Sequence, residues 1–400
     1  MSRDQTPLIK IYILFTMYIT PLVDLLNGAV GEYAKIGQAI RGAIIILNLF
    51  IIFTETYGRR LERLYLIAIL FVFLLNTTFA AFVFSVNSIS INIAYFMKLL
   101  LFFTQYYLLT IQIDNEIIVE TDYTKFWTYS FITIPVSIII IKIFGIGTLG
   151  IGGLFASINA ISVILVMQSI LIMEFIEKNM VYLLLLIMNI VAVLVFGRKS
   201  PVIFISISII LIMLFQSKNK LKLAIFIICG IVSVNYVITH YFLEQWNELL
   251  SYQKYWYNEA KITGEWSSFI FSGRDSLLAS TWKQLNQSSL IFIALLTGIS
   301  PYGLGTVTGN SLGLNSLRGI EIDPFEILLS YGFPITIAVY SIFIKALKTK
   351  TNNNNSSFVL NLALICTLIH SCFGGHTVTE AVAASYSAYL ITYKYCLSKE

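Results

Sequence analysis

Long apolar segments, separated by short polar connections, recur along this chain from one end to the other. Most match the roughly 17–25 residues with which an α-helix crosses the hydrocarbon core of a membrane. Continuous apolar runs of this length predict spanning helices and exclude the alternating pattern of a β-barrel. We predict twelve spans, at residues 8–27, 34–55, 63–84, 91–111, 125–144, 152–174, 179–196, 201–216, 222–241, 323–345, 357–373 and 377–394.

Residues 290–299 are also apolar, but this segment is too short to cross a membrane. Basic residues collect on the cytosolic side of membrane proteins. With Lys10 on that side, twelve spans place Lys345 and Lys350 there too, whereas counting 290–299 as a span would move both lysines outside. We therefore predict a re-entrant or interfacial segment at 290–299 and both termini in the cytosol.

Residues 242–322 interrupt the apolar pattern with a polar, aromatic and charged stretch. No other interruption is long enough to form a folded site outside the membrane. We predict a large external, periplasmic loop containing short helices, and this is where we expect the substrate-binding and catalytic groups. The chain then divides into 1–241 with spans one to nine, the loop at 242–322, and 323–400 with spans ten to twelve.

Composition agrees with an all-α polytopic membrane protein. Charged residues make up 12% of the chain, against about 25% in soluble domains. The net charge of +5 suits basic cytosolic loops, and no Lys/Arg cluster lies on a folded soluble domain, so we expect no nucleic-acid partner. The four cysteines lack metal-ligand spacing, and we expect neither a metal nor another cofactor.

Several cations lie where the positive-inside rule does not place them. Intramembrane ionisable groups are costly unless they are paired or line a wet cavity, so they are candidates for function. The Arg guanidinium matches phosphate oxygens with a planar fork. We interpret five of these cations as a pyrophosphate site, the alternatives being that Lys98 extends to the headgroups and that Arg198 is an interfacial anchor. The five are Arg198, Arg274, Arg41, Lys98 and Arg318.

Aromatic residues are dense in the external loop. Flat amphipathic rings cover the apolar faces of sugars, and the same residues also form belts at the membrane interface. We keep both interpretations open. The candidate glycan contacts are Trp256, Trp266, Trp282 and Tyr302.

Two further segments of the loop have recognisable local patterns. Residues 271–282 predict a turn leading into a helix, with Arg274 and Asp275 in the first turn, an arrangement that favours an anion. Residues 299–306 include Gly303 and Gly305, which predict an irregular backbone able to approach a ligand closely.

The entry to the tenth span is acidic. Pro324 suits the first helical position, with Asp323 as the N-cap. Glu321, Asp323 and Glu326 are the candidate catalytic residues, as proton acceptors from a sugar hydroxyl. His370 and His376 flank the turn between the last two spans; His376 and Glu380 are too few ligands for a metal, and a minor role in substrate binding is an alternative to no function.

Taken in order, these motifs resemble the Wzy-type O-antigen and capsule polymerases, which share a superfamily with the O-antigen ligases. The resemblance covers about residues 196–335, and elsewhere it extends only to hydropathy. It is carried by the many spans, one large late loop, and three motifs: Ser272-Gly-Arg-Asp275, Pro301-Tyr-Gly-Leu-Gly305, and Glu321-Ile-Asp-x-x-Glu326 entering a span.

The resemblance implies a metal-independent, GT-C-type glycosyltransferase in the bacterial cytoplasmic membrane. It would move a growing chain from undecaprenyl pyrophosphate to a hydroxyl of an incoming lipid-linked repeat unit, with a chain-length regulator and a flippase as partners in the same membrane. Arg198 and Arg274 fall where the family places the outward arginines thought to hold pyrophosphate. Two alternatives stay open: an O-antigen ligase that transfers glycan to lipid A-core, and a flippase or transporter for the same lipid-linked unit.

Overall fold

The computed structural model describes residues 6–30, 35–54, 60–144, 157–176, 179–196, 198–216, 236, 240, 243–264, 266–314 and 316–399. Within these ranges the chain forms helices joined by turns, and no strand. The helices are α1 Thr6–Val30, α2 Lys35–Thr54, α3 Arg60–Val83, α4 Ser88–Asp114, α5 Glu120–Phe144, α6 Ile158–Ile176, α7 Val181–Phe196, α8 Lys199–Gln216, α9 Leu243–Thr263, α10 Trp266–Phe271, α11 Arg274–Gln287, α12 Ile291–Leu296, α13 Ser300–Ser311, α14 Asp323–Lys348, α15 Asn354–Phe373 and α16 Ala381–Leu397.

Eight of the described helices are long and apolar enough to cross a membrane, which makes the chain an α-helical multi-pass membrane protein. They are α1 to α6, α14 and α15, and each coincides with a predicted span. The helices α7 and α8 are apolar but shorter, and α16 has 17 residues. The predicted span at 222–241 lies almost wholly outside the described residues, so the full set of twelve stays a prediction.

The centre of the bundle is formed by α16, which packs against α4 and α6. Every side chain of α16 from Ala381 to Lys394 is buried, because its many small residues let neighbouring helices approach closely. Polar side chains inside the bundle form hydrogen bonds from one helix to another. The Tyr389 hydroxyl accepts a hydrogen bond from Gln105 at 2.9 Å and lies 3.1 Å from the Thr20 hydroxyl. These contacts fix α16 relative to α1 and α4.

Helix α14 is broken at Gly332, whose φ of 79° and ψ of 175° are not helical. Pro334 has no N–H to donate to Ser330, so the break leaves carbonyls without their usual helical partners. Asn76 of α3 supplies one donor, through a 2.8 Å bond from its side-chain nitrogen to the Ser330 carbonyl. The backbone N–H of Ile299 supplies another, at 2.9 Å from the Leu329 carbonyl.

The segment 290–299 packs directly on this break. Its helix, α12, has six residues and is too short to cross a membrane, as its length in the sequence predicts. A Cβ at Gly298 would lie 2.2 Å from the Ser330 carbonyl oxygen, and one at Gly332 would lie 2.5 Å from the Leu296 carbonyl oxygen. Both glycines also have positive φ, so the close contact between the two backbones requires glycine on each side.

We expect Asn76→Ala to destabilise the protein, because Asn76 also donates to the Thr297 carbonyl at 3.1 Å and its loss leaves buried carbonyls unbonded. The expected cost is about 1–3 kcal/mol, measured as a lower midpoint of thermal unfolding in detergent. Thr78→Ala is the matched control, since its exposed hydroxyl bonds only within its own helix to Leu74. Equal midpoints for the two variants would contradict this role of Asn76.

The helices α9 to α13 lie with the turns 84–87 and 374–380 at one end of the bundle, which we call the loop end. Here the prediction of an irregular backbone at 299–306 is wrong, because these residues begin α13. Gly303 lies against the Phe84 ring, and a Cβ at Gly309 would be 2.2 Å from the Ser316 carbonyl oxygen. The glycines of α13 therefore let protein segments, rather than a ligand, approach the helix.

Candidate functional site

Arg274 lies at the loop end, at the first residue of α11. The preceding Gly273 has a φ of 79°, and a Cβ there would be 2.3 Å from the Trp256 indole, so glycine is required on both grounds. The guanidinium donates to Glu321 Oε2 from Nε at 3.2 Å and from Nη2 at 2.9 Å, and Nη1 donates to the Phe373 carbonyl at 3.1 Å. The predicted turn into a helix with Arg274 and Asp275 in its first turn is confirmed.

The Asp323 carboxylate holds the turn that follows α15. It is fully buried and accepts hydrogen bonds from the backbone N–H groups of His376, Thr377 and Val378, at 2.6, 2.6 and 3.2 Å, and from the Thr379 hydroxyl at 2.7 Å. The prediction that Asp323 caps its own helix is wrong. Asp323 is the first helical residue, and its side chain satisfies donors of a different segment. Four donors on two oxygens favour a role in holding this turn over direct proton transfer.

The turn 374–380 is packed against Glu321 through its backbone. A Cβ at Gly375 would lie 2.5 Å from the Glu321 carbonyl oxygen, and Gly374 lies against the ring of the buried His370. Glu321 and His376 both have a φ of 61°, which is unusual for residues other than glycine. Such strain persists where the surrounding contacts enforce it, and it is concentrated at functional sites.

Two further predicted cations are paired with carboxylates. Lys98 donates to Glu380 Oε1 at 2.9 Å, and Arg41 donates to Asp24 at 2.7 Å. Burial opposes ionisation of Glu380, but the charges of Lys98 and His376 outweigh it and hold the pKa of this carboxyl below its ordinary value. Paired charges of this kind are what a membrane interior tolerates, so neither cation is free for an anion unless its carboxylate moves.

Glu326 faces a small cleft lined by Tyr95, Pro301, Tyr331 and Thr379. Its Oε2 accepts the backbone N–H of Glu321 at 3.1 Å. A carboxylate accepts more hydrogen bonds than this one. Of the three predicted catalytic carboxylates, Glu326 therefore keeps the most acceptor capacity toward a cleft, whereas Glu321 is paired with Arg274.

The remaining predicted cations stand apart from this cluster. Arg198, between α7 and α8, is half-buried, and its Nε is buried without a hydrogen-bond partner among the described residues. Arg318 is exposed, and its backbone N–H donates to Gly305. The hydrogen bonds and ion pairs of the described residues link neither side chain to Arg274. The structure therefore brings Arg274, Lys98 and Arg41 into contact with acidic partners, and within the described ranges it gives Arg198 and Arg318 none.

The four predicted glycan contacts have different surroundings. Trp256 covers Gly273, and Tyr302 is tied to Asn92 through its backbone N–H at 2.9 Å. Trp266 is half exposed and meets the Tyr257 ring edge-on at 5.8 Å. Trp282 lines an apolar groove. Trp256 is therefore a packing residue, while Trp266 presents a ring to the surroundings.

An open apolar groove of about 690 Å³ is lined at one edge by Asp275, the residue that follows Arg274 in the chain. Phe271, Leu278 and Trp282 form one wall, and Ile322 and Phe325 at the start of α14 form the other. Its lining is almost entirely apolar. The groove itself suits an apolar ligand, and the charged groups at its edge are Asp275, which lines it, and the preceding Arg274.

Sequence reasoning missed the acidic partners of the cations. The sequence pattern singles out Glu380 only as a neighbour of His376, and it does not single out Asp24. Glu380 lies 282 residues from Lys98, and Asp24 lies 17 residues from Arg41 on the preceding helix, so the packing of the helices decides both pairs. Within the described part of the chain, no group of three or more His, Cys, Asp or Glu side chains could hold a metal ion. Comparison with protein-family models and with curated proteins gives no match for this chain.

Proposed function

We propose that this protein is a glycosyltransferase that polymerises undecaprenyl-pyrophosphate-linked repeat units at the outer face of the bacterial cytoplasmic membrane. The observation that carries the proposal is the position of Arg274 at the N-terminus of α11, in contact with Glu321 and directly before Asp275, which lines an apolar groove. A lipid-linked diphosphate has matching parts, namely an anion and a long apolar tail. The motif order at 271–326, similar to that of the polymerase family, supports the same substrate class.

The chemistry follows from where charge develops. As the bond between the anomeric carbon and the diphosphate breaks, the leaving group gains negative charge. A guanidinium held by Glu321 and the Phe373 carbonyl is already oriented, so it stabilises that charge with little reorganisation. The energy comes from the donor itself, so neither ATP nor a soluble sugar nucleotide is needed.

The acceptor hydroxyl must lose a proton in the same step. Of the three predicted carboxylates, Glu326, with its acceptor capacity toward the cleft, is the one best suited to orient that hydroxyl. Asp323 contributes indirectly, by holding the turn 374–380 in place. The groove along Phe271, Trp282 and Phe325 suits the isoprenoid tail of the donor. A chain-length regulator and a flippase remain the expected partners in the same membrane.

A transporter is the second candidate, because broken helices are typical of transporters and α14 is broken at Gly332. The carbonyls that the break exposes are already bonded to Asn76 and Ile299, so they are not available to a coupling ion. This favours a structural reason for the break. A ligase would use the same donor with a different acceptor, and only the choice of acceptor separates it from the polymerase.

Reconstituted protein supplied with a synthetic lipid-linked repeat unit tests the proposal. We expect a ladder of products on a glycan gel, and we expect EDTA to leave the rate of transfer unchanged. Lipid A-core offered as the acceptor is the control that separates a ligase. Accumulation of repeat units across the membrane without any new glycosidic bond would favour the transporter instead, and loss of activity in EDTA would exclude a metal-independent enzyme.

A further inference from the structure

We propose that His376 is a further catalytic residue, one that accepts the proton of the attacking sugar hydroxyl. This inference rests on the proposed function. It is carried by three observations at the turn 374–380: an enforced left-handed backbone, a ring nitrogen without a hydrogen-bond partner among the described residues, and a fixed carboxylate facing that nitrogen.

The backbone of His376 is held in a conformation that it does not favour. Gly375 and His376 have φ values of 62° and 61°, and a residue other than glycine in this region costs about 1–3 kcal/mol. The buried Asp323 carboxylate enforces it by accepting the N–H groups of His376 and Thr377, each at 2.6 Å.

The ring of His376 has an unusual environment. Its Nδ1 is buried without a hydrogen-bond partner in the described part of the chain, and it lies 3.8 Å from Glu380 Oε1. Glu380 is itself fixed by Lys98 at 2.9 Å, so the carboxylate cannot follow the ring freely. A proton on Nδ1 is attracted by that carboxylate, and this tautomer leaves the Nε2 lone pair as the proton acceptor.

The surroundings of the ring connect it to the proposed site. His376 interacts electrostatically with Asp323, Glu326 and Glu380, and its turn lies against the backbone of Glu321, the partner of Arg274. The proton acceptor and the anion-binding guanidinium are therefore carried by segments in direct contact. The two predicted carboxylates nearest the turn are less suited to the task, because Asp323 is saturated and Glu321 is paired.

The proposed step transfers the glycan chain and one proton. The acceptor hydroxyl oxygen forms a bond to the anomeric carbon of the donor, and its proton passes to Nε2 of His376. The bond from the anomeric carbon to the diphosphate oxygen breaks, and its electron pair leaves with the polyprenyl diphosphate. The imidazolium then releases its proton to water, and Glu380 stabilises the positive charge while it lasts.

His376→Asn tests this inference, since asparagine tolerates the left-handed conformation and keeps the turn folded. We expect single-turnover transfer to fall by about 100-fold or more, with the affinity for inorganic pyrophosphate changed less than about threefold. Added imidazole should restore part of the rate to His376→Gly, which a purely structural role would not allow. His240→Gln, at an exposed histidine in the predicted span 222–241, is the matched control and should transfer at the wild-type rate.

Transfer by His376→Asn within about threefold of wild type would overturn the inference and leave the proposed function standing. Slow transfer together with no imidazole rescue of His376→Gly would overturn it as well, in favour of a structural role. A wild-type protein that neither binds pyrophosphate nor forms a glycosidic bond would overturn the proposed function, and this inference with it.

Discussion

Arg274→Ala should lower the rate of glycan transfer by about 100- to 1,000-fold, leaving single repeat units in place of long polymer. Arg274 directly precedes Asp275, which lines the apolar groove, and its loss removes the group expected to stabilise the departing diphosphate. Transfer is measured from the product ladder on a glycan gel and from single-turnover rates.

Arg274→Lys should restore little of this activity. One ammonium cannot reproduce the three donors with which Arg274 contacts Glu321 and Phe373. Lys283→Ala is the matched control, because Lys283 is an exposed cation of the same helix. Near-normal ladders from both Arg274 variants would remove this residue from the site, and the same assay on Arg198→Ala tests whether the predicted second arginine takes part.

Asp323→Ala should destabilise the folded protein by about 3 kcal/mol or more. The substitution leaves three backbone N–H groups of the turn without their acceptor, and each buried unsatisfied group costs about 1–3 kcal/mol. The midpoint of thermal unfolding in detergent measures the effect. Hydrogen exchange of the amides of residues 376–378 should rise selectively, because Asp323 is the group that holds them.

Two comparisons distinguish a structural role of Asp323, in holding the turn 374–380, from a role in proton transfer. Glu116→Gln removes an exposed carboxylate and should leave the midpoint unchanged. Asp323→Asn keeps the size of the side chain but loses the charge and one acceptor, so it should destabilise less than Asp323→Ala. A variant at Asp323 with normal stability, normal exchange and no transfer would instead assign Asp323 to the chemistry.

Three of the five predicted cations are paired with carboxylates. Arg274, Lys98 and Arg41 each contact a carboxylate, Glu321, Glu380 and Asp24 in turn. Pairing lowers the cost of placing charge near a membrane interior. Under the proposed function, the diphosphate contacts the remaining N–H groups of an Arg274 guanidinium that Glu321 and the Phe373 carbonyl already orient.

The sequence by itself determined the class of the protein and the local structure around Arg274. Apolar runs of membrane-spanning length predict helices because a backbone in lipid must satisfy its own hydrogen bonds, and eight described helices meet that requirement. The turn into α11 follows from a local pattern, glycine before the helix and an acidic residue in its first turn. Both signals depend on neighbours along the chain, which a sequence displays directly.

Only the tertiary structure decided the partners of the charged groups. Asp323 was expected to cap its own helix, yet it holds a turn 53 to 56 residues further along the chain. The glycines of α13 were expected to approach a ligand, yet they accommodate Phe84 and residue 316. Hydrogen bonds and ion pairs form only between groups that are close in space, but those groups can lie at any separation along the chain. A sequence therefore shows which groups need partners, and the packing of α4, α14 and the turn after α15 decides which partners they obtain.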